Sequence, residues 1–92
     1  MQIRERDNNL CQACLCGKYL TINRITYNNL SVHHIIPLAE DASLSLSDTN
    51  LITLCDMHHD MAEAGEIARV DLLELARRQE ERAKGSKEEQ EG

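Results

Sequence analysis

The sequence predicts a small α+β domain stapled together by metal-ligating side chains, and three observations lead there. Aromatic residues are nearly missing: there is no Phe and no Trp, leaving Tyr19 and Tyr27. Such rings normally supply much of the buried area, and a domain of this length buries only roughly 60% of its unfolded surface in any case. Four cysteines and four histidines stand in a pattern, with Cys11-x-x-Cys14 and Cys55-x-x-His58 sharing one spacing. Finally, short β-branched runs alternate with capped, helix-like stretches. Ninety-two residues leave no room for a second domain.

The elements follow in order. Met1 to Leu10 is polar, anchored by Ile3 and Leu10, and reads as a short N-terminal helix. Cys11-Gln12-Ala13-Cys14 makes a tight turn, and Gly17 suits its end because it tolerates positive φ. Tyr19 to Ile25 has the β-branched character of a strand. Asn28-Asn29 signals a turn, and Leu30 to Ile36 is a second strand stopped by Pro37. A hairpin of these two strands is the simple reading. Leu38 to Thr49 is a loop from which Leu44 and Leu46 tuck inward, and Asn50 to Cys55 is apolar and compact. Asp56 caps a helix running to Ala64, ended by Gly65. A C-terminal helix runs from Asp71, as N-cap, to Ala83, with Leu72, Leu73, Leu75 and Ala76 as its apolar face. The domain so drawn covers 1–84, and the acidic tail 85–92 has nothing to bury and is expected to be disordered.

The two knuckles carry the first chemical inference. Two residues between ligands let a tight turn present both donor atoms to one ion, and two such turns close a tetrahedral structural Zn2+ site. The ligands are Cys11, Cys14, Cys55 and His58, a Cys3His set that ties the N-terminal turn to the helix beginning at Asp56. Cys16 could replace Cys14, but a Cys-x4-Cys turn matches the partner knuckle less well, so Cys16 reads as a free thiol. The alternative, a pair of disulfides, suits an oxidising compartment. The chain starts without an apolar leader and has no run of about 20 apolar residues, so a cytoplasmic, reducing location with no membrane is expected.

The remaining histidines suggest a second site. His33 and His34 are neighbours on a strand, so their side chains point to opposite faces: one can hold metal while the other meets a substrate. His59 directly follows a zinc ligand in the first turn of a helix. If strand and helix pack together, His33 and His59 meet at an open metal site. Mg2+ prefers oxygen and Mn2+ accepts both oxygen and imidazole, which suits phosphoryl chemistry. Singly, each histidine and Asn50 has an equally plain structural reading.

Together these residues resemble a known family. Val32-His33-His34-Ile35-Ile36-Pro37-Leu38, then Asn50-Leu51-Ile52-Thr53-Leu54-Cys55, then His58-His59, look like the HNH endonuclease motif. Arg6-Asp7 ahead of Cys11-Gln12-Ala13-Cys14 is similar to the lead-in of its zinc-binding subgroup. The resemblance spans about Arg4 to Ile67. It implies a ββα-metal, treble-clef-like finger and hydrolysis of DNA phosphodiester bonds by one divalent ion, Mg2+ or Mn2+, and a histidine base. By resemblance, His33 and His59 hold the catalytic metal, His34 deprotonates the attacking water, and Asn50 braces the base-bearing strand. Departures are His33, where relatives often carry Asp, and His58, where many carry a second zinc-binding Cys. The layout also resembles stand-alone HNH proteins of phages and prophages, some tied to DNA packaging, which implies a bacterial host cytoplasm.

The net charge of −6 opposes a nucleic-acid partner, but it is unevenly spread. Met1 to His34 holds four bases against two acids, and Gln79 to Gly92 five acids against three bases. Candidate DNA-phosphate contacts are therefore Arg4, Arg6, Lys18 and Arg24, whereas Arg69, Arg77 and Arg78 sit among acids and read as solvated helix faces. With no Phe or Trp there is little to stack on bases, which argues against a dedicated single-strand reader. Weak intrinsic sequence preference is expected, with a specificity or packaging partner and a monomeric or weakly dimeric state. The competing reading is a non-catalytic treble-clef zinc module that binds DNA or protein; it has no need of His33, His34, Asn50 and His59 together. A cysteine redox protein expects a Cys pair at a helix N-terminus, and here the pair has a matching knuckle instead.

Overall fold

A computed structural model describes residues 2–44 and 47–91, with the backbone alone for 85–91. Over these residues the chain folds as an α+β domain with four helices and one two-stranded sheet. Helix α1 spans Ile3–Arg6 and α2 spans Gln12–Cys16; strands β1 (Leu30–His34) and β2 (Leu51–Cys55) pair antiparallel; helices α3 (Asp56–Glu63) and α4 (Arg69–Glu91) follow. Short 3-10 turns occupy Ala42–Leu44 and Asp48–Asn50.

The hairpin of Tyr19–Ile25 with Leu30–Ile36 does not form. β1 pairs with β2, in the register His33 opposite Ile52 and His34 opposite Leu51. The reason lies in burial. Ile52, Thr53 and Leu54 are wholly buried, so β2 is covered on both faces and repays pairing. In the segment after α2, Leu20, Ile22 and Ile25 are exposed, and its backbone serves other groups. The Thr26 carbonyl accepts from Cys11 N at 2.9 Å, and the Leu20 carbonyl lies 2.9 Å from His58 Nε2. Local β propensity without a face to bury does not make a strand.

Turn chemistry is better obeyed. Gly17 ends α2 at φ 72°, and Arg24 Nε would lie 3.1 Å from any Cβ there. Asn29 holds φ 54° before β1 and Gly65 φ 79° after α3. The N-cap of α3 is Cys55, not Asp56, which sits in the first turn and complements the helix dipole. Helix α4 starts two residues before Asp71, so that residue is not its cap either. Its backbone continues past Ala83 through 85–91, the segment expected to be disordered. Lys, Glu and Gln are good helix formers, and propagation from an established helix needs no new nucleus. Leu46 and Gly92 lie outside the described residues, and Leu44 is half-buried.

A small core joins Ile35, Ile52, Leu54, Ile67, Leu72 and Ala76 with the buried cysteines. Beside it sits a buried polar hub. Arg6 and Asp7 pair through Nε–Oδ1 at 2.9 Å and Nη2–Oδ2 at 3.1 Å. Arg6 also donates to the carbonyls of Asp48 and Leu51, both at 2.8 Å, and to Glu80 at 3.1 Å. Asp7 Oδ2 accepts from Thr53 N at 2.9 Å. The pair thus ties α1 to β2, to the turn before it and to α4, with its hydrogen-bonding capacity largely satisfied, as buried charge requires.

Candidate metal centres

Two clusters of possible metal ligands among the described residues share helix α3. Cys11, Cys14, Cys55 and His58 are all buried, with one ligand atom from each within 4.8 Å of the others. Cys11 precedes α2, Cys14 lies in it, and Cys55 and His58 straddle the start of α3. His58 Nδ1 lies 3.6, 3.3 and 3.5 Å from the sulfurs of Cys11, Cys14 and Cys55, and the last two sulfurs are 3.8 Å apart. Tetrahedral zinc with bonds of about 2.3 Å to sulfur and 2.0 Å to nitrogen has edges of about 3.8 and 3.5 Å. The donor set therefore fits zinc in both chemistry and spacing. The Leu20 carbonyl, 2.9 Å from Nε2, accepts its proton and leaves Nδ1 as the metal-facing atom. Burial pushes the Cys11 thiol up to about 12 and raises that of Cys14; a coordinated dication reverses this and deprotonates the thiols. Cys16 is exposed and outside the cluster.

The second cluster is His33, His59 and Glu63. The expected meeting of strand and helix occurs: the two imidazoles are 5.0 Å apart between centroids, in an edge-to-face arrangement. Glu63, one turn after His59, escaped sequence reasoning, though its i,i+4 spacing on a helix was a readable signal. Its Oε1 lies 3.1 Å from His59 Nε2. Neighbouring positions on an octahedral ion bound at about 2.1 Å are about 3.0 Å apart, so the spacing of His59 and Glu63 suits two ligands of one divalent ion. His59 Nδ1 is 3.0 Å from Ser31 Oγ, which can fix the ring. Burial, followed by the neighbouring His59, lowers the pKa of His33 and favours the neutral, ligating imidazole.

His34 is half-buried at the end of β1. It lines, with His33, Ile35, Pro37, Ala62, Glu63 and Arg69, a pocket of about 220 Å³. Strand alternation buries His33 more than His34, yet the chain turns away at Ile35 and leaves both at one opening. Asn50, buried, grips that turn: its Oδ1 accepts from Ile36 N at 2.8 Å and its Nδ2 donates to the Ile36 carbonyl at 3.1 Å. Its own carbonyl accepts from Ile35 N at 2.9 Å.

The four basic candidates separate. Arg6 is 5% exposed and fully engaged in the buried hub, so it does not present a charge to a ligand. Arg4 is exposed and donates to the Leu30 carbonyl. Lys18 pairs with Asp71 at 2.9 Å, and Arg24 donates to the Leu15 carbonyl at 2.9 Å. Among the described residues, no helix is long and apolar enough to cross a membrane.

Comparison with known proteins gives one finding: a family model described as HNH endonuclease matches residues 11–64. No curated protein and no solved structure matches the chain.

Proposed function

Because this chain belongs to the HNH endonuclease family, we propose that it is a DNA endonuclease that needs a divalent metal at His33, His59 and Glu63, with a structural zinc at Cys11, Cys14, Cys55 and His58. The observation that carries this reading is the shared pocket, in which an unligated histidine, His34, opens beside a three-donor cluster. A closed cluster suits structure, and one with three protein donors leaves positions for water and phosphate.

In this reading His34 accepts a proton from a water molecule, and the water oxygen attacks phosphorus as the bond to the 3′ oxygen breaks, leaving a 5′ phosphate. A histidine is suited to base catalysis near neutral pH. Asn50 positions the base: its two hydrogen bonds to Ile36 fix the turn that follows His34. When bound, Mg2+ or Mn2+ supplies charge stabilisation at the scissile phosphate. Zinc holds α2 against α3 in a reducing compartment such as the cytoplasm, where the thiols persist. The acidic balance of the chain suits modest DNA affinity, with sequence choice left to a partner protein.

The test is cleavage of supercoiled plasmid with Mg2+ or Mn2+, comparing the intact chain with His34→Ala at equal zinc content. Cutting that is lost in the variant and in chelator is expected, by about 10²- to 10⁴-fold for loss of a general base. Nicked product indicates one active site and linear product paired sites. Binding of DNA without cutting, under every divalent metal, favours the non-catalytic zinc module instead.

A further inference from the structure

Arg69, whose acidic neighbours in sequence suggest a solvated helix face, instead lines the histidine pocket with His33, His34 and Glu63. Histidines aside, it is the sole cation lining that pocket among the described residues. It also opens α4. A cation in the first turn opposes the helix dipole, so helix stability does not account for its place. Its Nη1 and Nη2 meet the two carboxylate oxygens of Glu40 at 2.8 and 2.7 Å. Glu40 is held in the turn leaving β1, where its N–H donates to the Pro37 carbonyl at 2.9 Å. The side chains of Arg69 and Glu40 are 50% and 53% exposed. A pair this exposed gains little over separate hydration. A phosphodiester offers the same two-oxygen edge that a guanidinium fork recognises, so it can take Glu40's place without a large penalty.

We propose that Arg69 grips a backbone phosphate of the DNA entering the histidine pocket, and that Glu40 occupies the guanidinium until that phosphate displaces it. The inference rests on the nuclease reading and adds to it a binding residue with a built-in competitor. Glu40 and Glu63 both repel an incoming phosphate, and Arg69 is the side chain placed to offset them at the pocket.

The experiment measures binding of a short labelled duplex to the zinc-loaded His34→Ala chain, which cannot cut, over a series of salt concentrations. Adding Arg69→Ala is expected to weaken binding roughly tenfold and to reduce the slope of log affinity against log salt by about 0.9. Arg69→Lys keeps the slope and recovers part of the affinity. Adding Glu40→Gln is expected to tighten binding about two- to fivefold, since the competitor is gone. The opposite signs matter: loss of a merely structural ion pair moves both variants the same way. Parent affinity and slope in Arg69→Ala, or weakened binding in Glu40→Gln, would overturn the proposal while leaving the nuclease reading intact. Absence of duplex binding by the parent itself overturns the nuclease reading first.

Discussion

His58 and His59 are consecutive, yet one is wholly buried among three cysteines and the other keeps 31% of its side chain exposed beside Glu63. The first step of α3 thus contributes to two clusters of possible metal ligands that differ in burial. At the cysteine centre every donor is buried and comes from a knuckle, with the Leu20 carbonyl fixing the ring. At the histidine centre the donors come from β1 and α3, the burial falls from His33 to Glu63, and a pocket opens beside them. A closed set of four can only hold the chain together, whereas an incomplete set facing solvent can hold a substrate. The same short helix therefore contributes both to a closed, buried donor set and to an open one beside a pocket.

The contrast breaks most visibly at the cysteine centre. Cys11→Ser is expected to abolish the folded state, since structural zinc contributes on the order of 10 kcal/mol and a whole domain is stable by about 5–15 kcal/mol. Circular dichroism with zinc quantification measures this, and His59→Ala in the same assay keeps both fold and zinc. A folded, zinc-free Cys11→Ser protein would remove the distinction between the two centres. Next in size is Glu63→Gln, expected to weaken Mn2+ binding by about 10- to 100-fold, read by titration calorimetry on the zinc-loaded chain. Its melting temperature should stay near that of the parent, because the Glu63 side chain is 65% exposed and such an exposed pair adds little stability. Equal Mn2+ affinity in parent and variant would reduce the open centre to two imidazoles.

Asn50→Ala tests the turn that follows His34 beside the histidine cluster. It strips partners from the N–H and carbonyl of Ile36, an expected loss of about 1–3 kcal/mol in urea unfolding. Cleavage should fall further than unfolding explains, because the turn also sets the direction of His34. A variant destabilised but fully active at low temperature would confine Asn50 to a structural role.

How far the sequence could be read follows the same division. The cysteine knuckles, Gly17 and the Asn28-Asn29 turn were legible because their geometry is local: two intervening residues, or one positive φ, fix the outcome. His33, His34, Asn50 and His59 stood out through their joint pattern; the structure brings His33 beside His59 and sets His34 and Asn50 at the turn that follows β1. The pairing of β1 was not legible, because Tyr19–Ile25 and Leu51–Cys55 compete for the same edge and long-range burial decides between them. Arg6 misled for a related reason. An arginine beside an aspartate near the N-terminus reads as surface charge, and nothing local reveals that Asp48, Leu51, Thr53 and Glu80 converge on the pair. The places of Glu63 beside His59 and of Arg69 on the histidine pocket were not legible, because helical neighbours reveal them only when a strand and a turn are set against them.

The smallest effect sharpens the comparison through pH. Burial and His59 hold the His33 pKa below its ordinary value, so the folded chain keeps this imidazole neutral while an unfolded chain protonates near pH 6.5. Above that pH both states are neutral and His33 adds no dependence. As pH falls below about 6.5 the unfolded state takes up its proton first, and stability declines until the folded-state value is passed. His34, His59, Glu63 and Arg69 surround the same group, so the parent curve alone mixes several titrations. Comparing urea midpoints of the parent and His33→Asn, both zinc-loaded and without added Mg2+ or Mn2+, isolates the contribution. The variant should lose less stability between pH 6.5 and 5 than the parent. With Mn2+ present the parent's acid limb should steepen, since protons then compete with the metal for the imidazole, and His33→Asn should lose most of that steepening. Matching acid limbs in parent and variant, with and without Mn2+, would mean that His33 is neither neutral by burial nor a ligand.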